Sequence, residues 1–516
     1  MRDGPYADTV FLTGGAVRDE IMGKPIKDID VVVTEKDGGI KFANWFTKKI
    51  NAHKEGANPV IYPRFGTAKF NLRGVTHQGV DLSGVDIESV MTRGEKYETG
   101  SRKPEVVYAD LKTDAERRDL TVNSLYKNIV TGEIKDLTGK GISDIKKGIV
   151  RTPLDPDITF QDDPLRMMRA VRFAVKYDWK MPRYMLKSIQ KNAPALKSIS
   201  AERIQDEFNK MLLTDHPDQA LRILSLTGLN KHIIPELDDA KGIKQNEHHE
   251  HDVYDHILEV VRHSPKDLTA RLAALFHDIG KPVTKTTGDD GRVHFYEHED
   301  VGAGMAKKIM TRLKYPNQKI ESVSNIVANH MRLKSAKDDG SGVSDKTLRK
   351  FISALGDDLQ SALTMMHADN VSHKSTSAMP NQIPKIQSRV KNLMKAAPAK
   401  PKLPVNGHDI MKALNLKPGP EIKNILSAIE DVWYERPELT AADAMKVAKF
   451  VHQKGRAPIS GKTAEPTKGG SPNIQGTRIQ NPLTKNNILI KTALKYPHNH
   501  PVRRAAEEKI RRLLKK

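Results

Sequence analysis

Through the first 150 residues the apolar positions come in short runs broken by glycine, proline and asparagine: Ile29 to Thr34, Val85 to Val90, Val106 to Tyr108 and Ile134 to Leu137. Runs of this length between turn signals predict strands, so residues 1–150 are expected to form an α/β head. From residue 151 the apolar spacing changes to three and four, in Leu165, Met168, Val171, Phe173 and again in Ile204, Phe208, Met211, Leu212, which predicts helices through residue 240. A histidine-rich helical segment is expected over 241–375. Residues 376–404 carry five prolines and little periodicity and read as a linker. A short helical unit is expected over 405–452, then a basic tail over 453–516 that ends in the helix-like VRRAAEEKIRRLLKK. No internal repeat is evident. The expected fold class is α+β: a head with a small mixed sheet and helices, then an all-α neck, a helical domain and a C-terminal helical unit.

Composition narrows the partners. A chain of 516 residues with 38% hydrophobic, 29% charged and 5% aromatic residues reads as helix-rich rather than as a large all-β fold. No stretch approaches the roughly 18 apolar residues of a membrane span, and no signal-peptide pattern opens the chain. Zero cysteines exclude disulfides and thiolate metal sites, and a cytoplasmic protein without membrane contact is expected. A net charge of +21 favours a polyanionic partner, nucleic acid first.

The most informative stretch is FLTGGAVRDEIMGKPIKDIDVVV, residues 11–33. Asp28 and Asp30 lie two apart ahead of Val31, Val32 and Val33, so on a strand both carboxylates project the same way, about 7 Å apart. Two acids that close repel a polyphosphate unless divalent cations sit between them, which is what two-metal phosphoryl or nucleotidyl transfer needs. The Gly14-Gly15 turn brings backbone N–H groups close to phosphates, and Arg18 is expected to add charge-assisted contacts. A third carboxylate is expected on the run GVDIESV, where Asp86 and Glu88 face the same way; Asp86 is the preferred choice.

Downstream, DAERRDLTVNSLY (114–126) sets Arg118 beside Asp119, with Asn123 four residues on. On one helical face Asp119 and Asn123 would hold ribose hydroxyls, or would serve only as a helix start with internal ion pairs. In FQDDPLRMMRAVRFA (160–174), Asp163 and Arg166 are three apart on a helix that Pro164 begins. An acceptor beside a donor fork matches the Watson–Crick edge of cytosine and adenine and mismatches guanine and uracil, unless the two form only a local ion pair.

These blocks, GGAVRD, DID, RRDLTVNSLY, DDPLRMMRAVRF and AERIQDEFNKML, resemble in order and spacing the class II CCA-adding tRNA nucleotidyltransferases and their poly(A) polymerase relatives. The resemblance covers about residues 8–240. It implies that Asp28 and Asp30 bind Mg2+, that Gly14, Gly15 and Arg18 hold phosphates, and that Arg118, Asp119 and Asn123 handle the sugar. It further implies that Asp163 and Arg166, with Arg169 beside them, read CTP and ATP, and that Arg203 and Glu207 support that helix. Asp162 stands where the family usually has Glu. RFGTAKF (64–70) is similar to the CCA-adding branch rather than the polymerases, and TRGEKYETGSRKPEV (92–106) resembles the flexible loop of full CCA-adding enzymes.

The histidine segment resembles the HD phosphohydrolase superfamily through HDIGKP, which follows an apolar helix. His256, His277, Asp278 and Asp369 form the minimal metal set, and His298 and His330 extend it to a second ion. Imidazole and carboxylate together suit Mn, Ni, Co, Fe or Mg2+. The alternative is an HD fold kept as scaffold. His248, His249 and His251 read as solvated. Residues 403–450 look like the C-terminal helical unit of the multifunctional enzymes.

The resemblance implies an enzyme that adds or repairs the 3′-terminal CCA of tRNA, with an accessory phosphohydrolase. Its rivals are a poly(A) polymerase, an HD enzyme whose head only binds RNA, and a non-enzymatic RNA-binding protein. The tail fits a solvated extension, an RNA-backbone contact through Arg503, Arg504, Lys509, Arg511 and Arg512, or a docking segment.

Overall fold

The computed structural model describes residues 4–26, 28–50, 58–96, 105–245, 251–289, 291–396 and 402–455. The basic tail beyond Gly455, His248, His249 and the tip of the 92–106 loop lie outside the described residues.

The head holds strands β1 (Val10–Thr13), β2 (Ile29–Val33), β3 (Val60–Tyr62), β4 (Thr67–Asn71), β5 (Thr76–His77), β6 (Val80–Asp81) and β7 (Asp86–Met91). These are followed by β8 (Arg93–Lys96), β9 (Glu105–Tyr108), β10 (Leu125–Asn128) and β11 (Ile134–Asp136). Seven of them form one sheet in the order β11-β10-β1-β2-β7-β4-β3. The sheet is antiparallel except where β2 runs parallel to β7, with Asp30 opposite Glu88. The stems of the 92–106 loop pair as β8 and β9. Helices α1 (Gly15–Ile21), α2 (Gly38–Lys49), α3 (Leu111–Glu116) and α4 (Gly141–Lys147) complete the head.

The valine run explains how the acids are placed. Val31 and Val33 pack with Phe42 of α2 and Phe70 of β4 on one face, whereas Val32 packs with Phe11, Ala115 and Tyr126 on the other. Alternation therefore puts Asp30 on the Val32 face, toward α3 and β10. β2 becomes buried only from Val31 onward, which leaves Asp28 exposed and Asp30 half-buried at the start of the strand.

The neck runs through α5 (Pro156–Asp162), α6 (Leu165–Tyr177), α7 (Arg183–Asn192), α8 (Ala201–Leu212), α9 (Pro217–Leu226) and α10 (Pro235–Asp238). The 3–4 spacing read in the sequence is the buried stripe of α6 (Leu165, Met168, Val171, Phe173) and of α8 (Ile204, Phe208, Met211, Leu212).

The histidine segment folds as α11 (Val253–His263), α12 (Leu268–Phe276), α13 (Lys281–Thr284), α14 (His298–Arg312) and α15 (Asn317–Asn329). Helix α12 is buried along its whole length after Leu268, as its unbroken apolar sequence requires. Arg271 on α12 is 3% exposed and donates to the carbonyls of Leu212 and Thr214 at the end of α8, the latter at 2.6 Å, and to Ser264 O at 3.3 Å. It thereby supplies donors to the terminal carbonyls that a helix cannot satisfy internally.

A second compact unit comprises residues 332–359 and the chain from 381 onward. It contains α16 (Asp345–Leu355), while α17 (Leu359–Val371) lies almost wholly in the first unit. The second unit also contains α18 (Gln382–Ala396), α19 (Gly407–Leu414), α20 (Pro420–Trp433) and α21 (Ala441–Gly455). Its core gathers Ile410, Ile425, Ile429, Trp433 and Val447. The expectation of a linker over 376–404 is corrected here: α18 occupies its middle, with Ile383, Ile386 and Val390 buried. Those residues keep helical spacing, and Pro384 falls in the first turn, where its missing N–H costs nothing. The proline count outweighed a real period. Likewise α16, read as part of the 241–375 domain, groups with this second unit.

Candidate functional site: an arginine-lined acidic cleft and a histidine–aspartate centre

In the head, the chain leaves β1 and turns at Gly14 into α1. Gly14 has φ 63°, and a Cβ there would lie 3.6 Å from Arg118 Nη1 and 3.7 Å from Asp30 Oδ2. Glycine is required for the backbone angle, and it brings backbone close to both groups. Asp30 and Glu88 line one side of a cleft of about 370 Å3. Its other walls come from Arg93, Arg117, Arg118 and Asp119 in the head and from Asp163, Arg166, Arg169 and Arg203 in the neck. Burial pushes the Asp30 carboxyl up, and the charges of Glu88 and Asp28 push it further, against the pull of Arg118. A carboxylate held among two further acids is the oxygen-donor environment a hard divalent cation relieves, so the residues present fit Mg2+.

Several candidates sit otherwise than expected. Asp86, the preferred third acid, accepts from Asn71 Nδ2 at 2.8 Å and pairs with Lys69 at 3.1 Å, while Glu88 faces Asp30 and lines the cleft. The two acids do share a face, but register with β2 decides between them, and that register joins strands far apart in sequence. Arg18 is also not free for phosphate. It is 5% exposed, donates from Nη1 to Asn123 Oδ1 at 2.6 Å and from Nε to Asp19 at 2.8 Å, and lies against Phe173 and Tyr177. The phosphate-binding expectation for Arg18 is therefore corrected to a buried brace.

Asp119 and Asn123 do meet, with Asn123 Nδ2 donating to Asp119 Oδ1 at 3.0 Å, but in a turn after α3 rather than along a helix face. Arg169 donates from Nε to Asp119 Oδ2 at 2.8 Å and pairs with Glu207 at 3.4 Å, and Glu207 accepts from Arg172 at 2.6 Å. This chain of ionic bonds runs from head to α8. Asp119 stays below the usual carboxylate range although burial opposes it, because Arg169 and Asn123 stabilise its charge. Asp163 and Arg166 are both at the cleft, yet not as a helical ion pair. Asp163 is extended, its Oδ1 accepts from Leu165 N at the start of α6, and its Oδ2 pairs with Arg203 at 2.8 Å. Arg166 donates to Thr159 O at 3.3 Å.

Arg93 and Arg117 were not singled out as candidates, although Arg117 neighbours Arg118 in the sequence. Arg93 carries no signal of its own within the stretch that resembles the flexible loop of full CCA-adding enzymes.

The second site lies around the C-terminal end of α12. His256, His277 and Asp369 place one ligand atom each within 4.8 Å of one another, as do Asp278, His298 and His330, and all six are buried. The six candidates from sequence thus converge. Asp278 Oδ2 is 3.2 Å from His277 Nε2 and its Oδ1 is 3.4 Å from His298 Nε2, so Asp278 faces both groups. The Nδ1 atoms of His277, His298 and His330 hydrogen-bond to the carbonyls of Ala274, Phe295 and Val327 at 2.7, 2.8 and 2.7 Å. A carbonyl can only accept, so these Nδ1 atoms carry the proton and each Nε2 lone pair points at its neighbours, the tautomer a metal ligand needs. Burial pushes His256 down to about 4 and His330 down to about 3. Four imidazoles and two buried carboxylates whose ligand atoms converge in two groups fit divalent transition ions or Mg2+. Lys281 Nζ, 2.7 Å from Asp278 Oδ2, was not anticipated although it stands in the same HDIGKP motif. His251 is exposed, as a solvated residue should be.

Fold and sites together define a nucleotidyltransferase head and helical neck joined to an HD domain. Residues 10–151 match the poly A polymerase head domain, 180–241 the probable RNA and SrmB-binding site of polymerase A, and 247–371 the HD domain. The CC-adding tRNA nucleotidyltransferase of Thermus thermophilus is 29% identical over 473 residues, 88% of this chain and 96% of that protein. The mitochondrial CCA tRNA nucleotidyltransferase of Saccharomyces cerevisiae is 33% identical over 248 residues, 47% of this chain and 45% of its own length. The multifunctional CCA protein of Chromobacterium violaceum is 28% identical, covering 63% of this chain and 75% of that protein. The crystal structure of the Bacillus stearothermophilus CCA-adding enzyme in complex with CTP superposes with a TM-score of 0.58 at 22% identity, over 87% of this chain and 93% of that one, and shares its fold. The chain thus carries matches to the poly A polymerase head, the polymerase RNA-binding segment and the HD domain, and is similar over most of its length to tRNA nucleotidyltransferases.

Proposed function

We propose that this chain extends the 3′ end of tRNA without a nucleic-acid template, using CTP and ATP to add or repair the terminal CCA. The cleft carries this reading, because it sets Asp30 and Glu88 opposite a wall of arginines and beside Asp163 and Arg166. The RNA 3′-hydroxyl attacks the α-phosphate in line; the new P–O bond forms as the bond to the β-phosphate breaks, and pyrophosphate leaves. Asp28, Asp30 and Glu88 would hold Mg2+, which supplies charge compensation for the triphosphate and a more acidic hydroxyl. Arg118 donates toward the phosphates and sugar, Asp119 and Asn123 bind the ribose hydroxyls, and Asp163 with Arg166 offers an acceptor and a donor fork to C or A. Arg18 and Arg169 hold Asn123 and Asp119 in place. The rival readings are a poly(A) polymerase, an HD enzyme whose head only binds RNA, and a non-enzymatic RNA-binding protein.

The test is incubation of the purified chain with tRNA ending at the discriminator base, with each nucleotide singly and in mixture, followed by sequencing of the 3′ ends. CCA from the mixture and CC from CTP alone support the reading. Growth of A tracts from ATP alone would favour a poly(A) polymerase, and no addition would refute both. The relatives divide among CC-adding, A-adding and CCA-adding enzymes, so the length of the added sequence is itself a result.

A separate observation, six buried candidate ligands with Asp278 among them, favours an accessory phosphohydrolase at the HD centre, acting on phosphate monoesters or 2′,3′-cyclic phosphates. A cytoplasmic location accords with this tRNA-directed role.

A further inference from the structure

Asp114 has no part in the sites described above, yet it is fully buried and saturated with donors. Its Oδ1 accepts from the Arg93 backbone N–H at 3.2 Å and from Arg117 Nε and Nη2 at 3.1 and 2.6 Å. Its Oδ2 accepts from Arg118 Nε and Nη2 at 3.1 and 3.0 Å and from the Tyr126 hydroxyl at 2.7 Å. A carboxylate offers about four lone-pair directions, so every one is engaged. Burying such a charge is unfavourable unless it is paired. Here burial raises the Asp114 carboxyl, but Arg118 and Arg117 outweigh it and hold it far below the usual range. An apolar residue at this point would fill the space without that cost. What the carboxylate adds is orientation: Arg93, Arg117 and Arg118 all line the cleft. With Nε and Nη2 fixed on Asp114, Arg118 directs Nη1 toward the Gly14 turn and Asp30, where it also donates to Asn123 O at 3.3 Å. Side-chain exposures of 16% and 17% leave Arg117 and Arg118 reachable at the cleft.

We propose that Asp114 is a positioning residue for nucleotide binding, one buried carboxylate that aims the guanidinium groups of Arg117 and Arg118 at the triphosphate and ribose of the incoming nucleotide. This rests on reading the cleft as the nucleotide site. Asparagine at 114 presents an amide donor where the carboxylate accepts, so one of the two forks loses its partner.

The experiment uses the full chain and measures CTP affinity by calorimetry with Mg2+, KM and kcat with truncated tRNA, and thermal melting. Asp114→Asn raises Kd and KM for CTP about tenfold, the scale of one charge-assisted hydrogen bond, while kcat at saturation changes less. Arg118→Lys gives a similar rise, and the double variant loses less than the sum of the two single losses, because Asp114 acts in part through Arg118. Tyr126→Phe, which keeps the ring in place, raises Kd about threefold, below the scale of a full hydrogen bond. Lower melting with unchanged CTP affinity, or additive losses in the double variant, would overturn the proposal. Should Asp114→Asn not fold, an unchanged Kd in Tyr126→Phe overturns it. A wild-type chain that binds no CTP, or an Arg118→Lys variant that binds it normally, defeats the nucleotide-site reading first and this inference with it. If Arg118→Lys weakens binding and Asp114→Asn does not, only this inference fails.

Discussion

Arg18 Nη1 donates to Asn123 Oδ1 at 2.6 Å across 105 residues of chain, while the rings of Phe173 and Tyr177 lie 5.1 and 5.2 Å from the guanidinium carbon. Helix α1, the turn before β10 and helix α6 are thus joined through one buried side chain. A lysine keeps the charge but not the fork. Arg18→Lys should lower unfolding stability by about 2 kcal/mol. It should also weaken the preference for CTP over dCTP by loosening Asn123. Denaturant melts and single-nucleotide addition with the two sugars check both halves, and a variant like wild type in both would remove the brace from the account.

The strand register makes a sharp distinction between two acids of one strand. Glu88→Gln should reduce nucleotide addition by about a hundredfold or more, the scale seen when a preorganised charge is lost from an active site. Asp86→Asn should stay within a few-fold of wild type, because its carboxylate already serves Lys69 and Asn71 at an exposed edge. Turnover on truncated tRNA at saturating CTP decides; the reverse order would restore Asp86 as the third acid.

Asp163→Ala should relax the C and A preference toward U and G, and it also frees Arg203 from its ion pair. Competition between the four nucleotides, read by sequencing the added residue, tests this. Selectivity equal to wild type would move base reading to other residues of the cleft.

Acid should loosen the junction between head and neck. The folded state holds Asp119 below its ordinary pKa through Arg169 and Asn123, against burial. A depressed carboxyl contributes stability that is complete above its unfolded value, about 3.9, and that is lost as pH falls through the folded value. Wild type should therefore lose urea resistance below about pH 4 more steeply than Asp119→Asn. Parallel curves for the two proteins would exclude a role for this ion pair in acid unfolding.

At the HD centre Asp278 faces both ligand groups, so Asp278→Asn should lower bound metal at both, while CCA addition continues. Metal content by mass spectrometry, hydrolysis of a phosphomonoester and nucleotide addition should be measured on the same preparation. Full metal content in the variant would contradict the ligand assignment.

The α+β class and the gathering of His256, His277, Asp278, His298, His330 and Asp369 were legible because their signals are local or carried by residue type: an apolar helix ending in His277-Asp278, or valines alternating after Asp30. What was not legible needed contacts between distant segments. Glu88 could be separated from Asp86 only by the pairing of β2 with β7. Arg18 looks like a phosphate ligand until α6 brings Phe173 and Tyr177 over it. Asp163 and Arg166 have helical spacing in the sequence, yet Asp163 is the extended residue that precedes Pro164, as the residue before a proline tends to be. Helix α18 is masked in the sequence by prolines at its start and beyond its end, although Ile383, Ile386 and Val390 keep helical spacing.

Helix α8 begins near the cleft with Arg203 and ends on donors lent by Arg271 of α12, whose own last turn leads to His277 and Asp278. The neck thus borrows its finish from the neighbouring domain. A fragment severed ahead of residue 251 would forfeit those donors and bare the apolar flank they seal. A lineage that lost the histidine–aspartate centre would still have to inherit these helices, since α8 draws from α12 the donors that close its last turn.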